Sequence, residues 1–103
     1  MLTVVETPVF LRMVAGVWSD DERADFVAFI SDNPQAGDVI PGAGGLRKVR
    51  WNRSGIGKQG GARVIYFTQL AKEQVVLIAV YAKAKFDNLP VAVLKSWKDA
   101  FDA

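Results

Sequence analysis

Seven basic residues, Arg47, Lys48, Arg50, Arg53, Lys58, Arg63 and Lys72, fall in one stretch of the chain that contains no acidic residue. Side chains of this kind bind phosphate, and arginine offers it two parallel N–H donors. They also stabilise the negative charge that builds on phosphoryl oxygens during a displacement. Histidine and cysteine are both absent. That excludes histidine-based triads, histidine acid–base pairs and Cys/His zinc sites. Any catalysis must therefore rest on Lys, Arg, Tyr, Asp or Glu, with no metal or cofactor called for. The densest acidic group, Asp20, Asp21, Glu22 and Asp25, reads as the opening turns of a helix rather than a ligand set.

The net charge of +2 hides an asymmetry. Residues 1–45 carry two basic and seven acidic side chains, whereas residues 46–103 carry eleven basic and four acidic ones. A polyanion is the natural partner of the second half. At 103 residues and 50% apolar content, residues 1–103 are expected to form one folded domain. No apolar run approaches the roughly 20 residues of a membrane span, and no secretory signal stands at the start. A cytoplasmic protein without a membrane partner is the expectation.

Residues 2–5 read as a short strand. Thr7-Pro8 is an N-cap followed by proline at the first helical position, and Phe10, Leu11, Val14, Val17 and Trp18 follow at helical spacing. Ser19 with Glu22 forms a capping box that opens a second helix running to about Asp32, with Ala24, Phe26, Val27 and Ile30 facing inward. Asn33-Pro34 ends it. Residues 35–45 read as loop, 46–51 as a strand and 52–61 as a Gly-rich turn. Residues 62–70 and 74–82 are strong strands joined by a short connection at 71–73. Pro90 opens a last helix in which Val91, Leu94, Trp97 and Phe101 make an apolar stripe. The expected fold is α+β, in the order β-α-α-β-β-β-α. Two N-terminal helices and one C-terminal helix pack on a small antiparallel sheet.

Two motifs fail on context. Gly55-Ile56-Gly57-Lys58-Gln59-Gly60 matches G-x-G-x-x-G, but a strand follows it where a dinucleotide site needs a helix. Gly57-Lys58 is followed by Gln59, which excludes a P-loop.

Alternation along the strands places Leu46, Lys48 and Arg50 on one face and Arg47, Val49 and Trp51 on the other. In an antiparallel meander, the end of one strand lies beside the start of the next. Arg50, Arg63 and Lys83 are thus expected to converge at one end of the sheet, with Lys48 one pleat away and Lys58 on the adjacent loop. A cluster of like charges is unfavourable until an anion occupies it. Arg47, Arg53, Lys58, Lys85 and Phe86 flank it and are expected to hold RNA. Trp51, Tyr66, Phe67 and Tyr81 also stand near, as core residues or as stacking platforms for bases.

Asn33-Pro34-Gln35-Ala36-Gly37-Asp38-Val39-Ile40-Pro41 followed by Gly44-Gly45-Leu46-Arg47-Lys48-Val49-Arg50-Trp51 resembles the HigB-type branch of the RelE/ParE toxin superfamily. Gly60-Gly61-Ala62-Arg63-Val64-Ile65-Tyr66 and Val80-Tyr81-Ala82-Lys83 are similar to it as well, and the likeness extends over nearly the whole chain. The resemblance implies a RelE-like fold and the toxin of a type II toxin–antitoxin pair. Many members of that superfamily are ribosome-dependent endoribonucleases that cut mRNA in the A site and inhibit translation. The implied partners are the ribosome, mRNA and a cognate antitoxin, often of helix-turn-helix type. The resemblance assigns catalytic roles to Lys48, Arg50, Arg63 and Lys83. The tyrosine that one branch uses near the last helix is missing from Phe86-Asp87-Asn88-Leu89-Pro90, so Lys48 or Lys83 becomes the candidate to move a proton. The alternative is a non-catalytic relative, such as a ParE-like gyrase inhibitor or an inactive RNA-binding toxin homologue.

Overall fold

Residues 75–81 are apolar without alternation, which is the pattern of a strand covered on both faces. In the computed structural model, which describes residues 2–51, 61–82 and 89–102, this segment belongs to β5 (Gln74–Ala82). The other elements are β1 (Thr3–Glu6), α1 (Pro8–Val14), α2 (Asp20–Asp32), β2 (Asp38–Val39), β3 (Arg47–Trp51), β4 (Ala62–Gln69) and α3 (Val91–Asp102), with one 3₁₀ turn at Leu70–Lys72. The sheet runs β1-β5-β4-β3-β2. Strands β2 to β5 pair antiparallel. β1 joins β5 in parallel, with Thr3 opposite Gln74 and Glu6 opposite Leu77. The sheet is therefore mixed rather than purely antiparallel.

The helices sit on opposite faces. α1 and α2 cover the face that carries Val64, Tyr66, Val75 and Leu77, to which they contribute Phe10, Val14, Phe26 and Ile30. α3 lays Leu94 on the other face, against Ile65, Phe67, Val76 and Ile78, with Trp97 and Phe101 beside it. Phe101 meets Phe67 edge to face at 5.9 Å. Burying a large apolar side chain of this kind is worth about 1.5–3 kcal/mol.

Local chemistry sets the helix ends. The Thr7 hydroxyl accepts from the Phe10 N–H at 3.3 Å and donates to the Leu77 carbonyl at 2.8 Å. One side chain thus caps α1 and ties it to β5. The capping box of α2 is complete, with Ser19 N–H on Glu22 Oε1 at 2.9 Å and Glu22 N–H on Ser19 Oγ at 3.2 Å. α1 ends at Val14 rather than Trp18. The N–H groups of Val17 and Trp18 both reach back to the Val14 carbonyl, closing a turn that frees the chain to enter α2. Within α2, Phe26 and Ile30 point inward while Ala24 is exposed. Two residues of helix turn a side chain by about 200°, so Ala24 and Phe26 cannot share a face. β2 was expected to be loop. At two exposed residues, it is too short to leave a hydrophobic pattern.

A bulge interrupts the β4–β5 ladder. Ile65 lies opposite Ala79 but Tyr66 lies opposite Leu77, which leaves Ile78 as the extra residue. Ile78 and Ala79 consequently contribute to the same core. The alternation of β5 inverts beyond this point, and Tyr81 turns to the face that α3 covers.

Candidate nucleic-acid interface

Lys48 and Arg50 of β3 and Arg63 of β4 occupy one end of the face covered by α3. Arg50 stands directly opposite Arg63, and Arg63 directly opposite Tyr81. The three form one rung across β3, β4 and β5. Lys48 lies on the same face two residues before Arg50, opposite Ile65. Side chains directly opposite on neighbouring strands have Cβ atoms about 4.5–5.5 Å apart, and like charges so placed repel. Lys48 and Arg50 are exposed. Arg63 is only 4% exposed and is engaged by a neighbouring group. A buried, held guanidinium beside an exposed one is a preorganised cation pair. A phosphate held by the exposed Arg50 would lie next to the fixed charge of Arg63, which needs no rearrangement to exert its field.

Strand pairing thus brings Arg50 and Arg63 together, with Lys48 alongside. Arg47 stands elsewhere. It is on the opposite face, where its guanidinium donates to the Gly37 carbonyl at 2.7 Å. Arg53, Lys58, Lys83, Lys85 and Phe86 lie outside the described residues. The aromatics divide clearly. Trp51 packs tilted against Phe29 at 4.7 Å and meets Phe26 edge to face at 5.5 Å, while Tyr66 and Phe67 are core. Tyr81, 3% exposed, is engaged and stands directly opposite Arg63. Its place in the rung depends on the bulge at Ile78, which leaves no mark in the alternation of an all-apolar strand.

A second network shapes β3 from behind. The Tyr66 hydroxyl donates to the Pro34 carbonyl and accepts from the Gly37 N–H, each at 2.9 Å. An added Cβ on Gly37 would lie 2.8 Å from the Lys48 carbonyl oxygen. Glycine is required there because two backbones touch. The sequence showed the helix end at Asn33-Pro34 and the loop after it, but not the Tyr66–Gly37 hydrogen bond, which joins positions 29 residues apart.

Burial raises the Tyr66 phenol above its ordinary value near 10, against the smaller opposing pulls of the Gly37 N–H and the Arg47 charge. The unfolded chain then releases this proton first. The stabilisation is complete below pH 10 and is lost as the pH climbs through the higher folded value. Tyr66→Phe leaves a buried N–H and a part-buried carbonyl unpaired. It is expected to cost about 1–3 kcal/mol near neutral pH and to flatten the alkaline decline. Urea unfolding at pH 7 and above pH 10 measures both.

Among the described residues, no group of three His, Cys, Asp or Glu is placed to hold a metal ion, and no helix is long and apolar enough to cross a membrane.

The fold is α+β, with a helical pair and a C-terminal helix enclosing a five-stranded mixed sheet. No protein-family model matches the chain. Among solved structures, the Escherichia coli toxin RelE, as a double arginine-to-alanine variant in the free state, superposes with a TM-score of 0.64. The match covers 94% of this chain and 96% of that one at 15% identity. The chain has the RelE fold.

Proposed function

We propose that this protein is the toxin of a type II toxin–antitoxin system, of the HigB-type branch. Its activity is that of a metal-independent endoribonuclease acting in the cytoplasm on mRNA in the ribosomal A site. The observation that carries this reading is the Arg50–Arg63 rung with Lys48 beside it, on a fold shared with a solved toxin. RNA supplies its own nucleophile. The 2′-hydroxyl attacks the adjacent phosphorus, the bond to the 5′-oxygen breaks, and a 2′,3′-cyclic phosphate remains. The protein must hold the phosphate in line and neutralise the charge on its non-bridging oxygens. Arg63 and Arg50 do this, and Lys48 takes the 2′-hydroxyl proton or returns one to the leaving oxygen, a role that Lys83 can share. Without histidine, this machinery is slow on free RNA. The ribosome compensates by presenting the mRNA in a fixed geometry, and a helix-turn-helix antitoxin restrains the toxin until it is needed.

The test is translation of a reporter mRNA in a bacterial extract, followed by primer extension on the recovered message. Cuts confined to translated codons are the expected result. Intact mRNA and undisturbed translation would reject the nuclease and direct attention to gyrase.

A further inference from the structure

β1 pairs with β5 only as far as Leu77. Beyond it, the outer edge of β5 has no strand partner among the described residues, and α1 runs alongside. Between them lies a groove of about 250 Å³, bounded by Arg12, Met13 and Val17 on one side and Val80, Tyr81 and Ala82 on the other. We infer that this groove is a nucleotide subsite, taking one unpaired base of the RNA strand whose reacting phosphate lies at Arg50 and Arg63, with Arg12 holding the neighbouring phosphate. The inference rests on the nuclease reading and extends it.

Three observations carry it. The first is continuity. Tyr81 is opposite Arg63 on one side and lines the groove on the other, so the groove begins one strand spacing, about 4.8 Å, from the strand that carries Arg63. The second is charge. The acidic side chains of the N-terminal half lie on α2, Glu6 and Asp38, and Arg12 is the one charged residue between Thr7 and Ser19. Arg12 is exposed, and among the described residues no carboxylate pairs with it. Arg12 thus adds a cation beyond the outer edge of β5, across Tyr81 from Arg63. The third is shape. The walls supplied by Met13, Val17 and Val80 are apolar, and the free strand edge offers backbone donors and acceptors to the edge of a base. A helix, about 10–12 Å across, does not fit a groove of this volume.

The experiment measures binding of a fluorescent hexanucleotide with 2′-O-methyl riboses, which cannot be cleaved, at several low salt concentrations. Wild type, Arg12→Gln, Val17→Trp and Arg50→Ala are compared after circular dichroism has verified their folding. Arg12→Gln is expected to weaken binding roughly tenfold, and to flatten the slope of log K against log salt by about 0.7, the value of one lost phosphate contact on a single strand. Val17→Trp fills the groove and is expected to weaken binding without changing that slope. If Arg50→Ala weakens binding while both groove variants match wild type, the subsite is overturned and the nuclease reading stands. If the groove variants keep RNA affinity but lose capture of a protein partner, the groove is a protein interface and the inference fails. If wild type does not bind the oligonucleotide even at low salt, the subsite is overturned, and the nuclease reading is decided separately by the translation assay.

Discussion

Arg63→Ala is expected to reduce mRNA cleavage in a translating extract by about 10²–10³-fold, the usual effect of removing one preorganised donor from a developing oxyanion. The effect is large because Arg63 differs from its neighbours in burial. Arg50 and Lys48 are exposed and solvated, whereas Arg63 is held at 4% exposure between Arg50 and Tyr81. Its position is set before substrate arrives. The same burial gives the alanine variant a stability cost, since a long side chain leaves a void. Arg63→Met fills that space without the charge and isolates the electrostatic contribution. It should fold with a smaller stability loss than Arg63→Ala, giving up only the interaction that engages the guanidinium, and still cut about as poorly as Arg63→Ala. Arg63→Lys keeps the charge but loses the two-pronged geometry and is expected to fall between wild type and Arg63→Met. Primer extension reads the cuts, and thermal melting separates folding from chemistry. A well-folded Arg63→Met variant that cuts at the wild-type rate would remove Arg63 from the site.

Phe26→Ala carries the largest expected effect on stability, a loss of about 3–5 kcal/mol. A domain of this size holds a margin of only about 5–15 kcal/mol. Phe26 is fully buried at the centre of an aromatic cluster, with ring centroids 5.2 Å from Trp18, 5.5 Å from Trp51 and 6.4 Å from Phe29. It joins α2 to the end of β3. Trp51 follows Arg50 directly, so a void at Phe26 removes support beneath the candidate site as well as from the core. Phe26→Leu keeps much of the volume and is expected to lose less. Guanidinium unfolding followed by tryptophan fluorescence measures both variants, because two of the ring partners are tryptophans. A loss under about 1 kcal/mol for Phe26→Ala would mean that the cluster closes over the gap without strain.

Much of the fold was legible because its signals are local. Thr7-Pro8, Ser19 with Glu22, and Asn33-Pro34 act through groups within a few residues of each other, and the observed caps and helix end follow them. The meander was legible because short connections leave consecutive strands little choice but to pair antiparallel. That was enough to expect Arg50 beside Arg63. Lys83 lies outside the described residues, so the third member of that expected cluster remains a proposal.

What tertiary structure alone decided depends on contacts between distant residues. The parallel pairing of β1 with β5 joins Thr3 to Gln74, and no local pattern specifies a partner so far along the chain. The bulge at Ile78 inverts the alternation of β5, but every residue around it is apolar, so neither phase is marked. Gly37 against Lys48, and Arg47 on the Gly37 carbonyl, arise only when loop and strand meet in space. By itself, the sequence determined most element types, the starts of the first two helices, the end of α2 and a basic strand pair, because propensity, capping and period act over a few residues. The folded chain decided which face each side chain serves. It set Arg63 as a buried anchor and Arg47 as a structural tie, and it left a groove beside α1 along the outer edge of β5 beyond Leu77, which among the described residues has no strand partner, because burial and pairing are properties of the whole sheet.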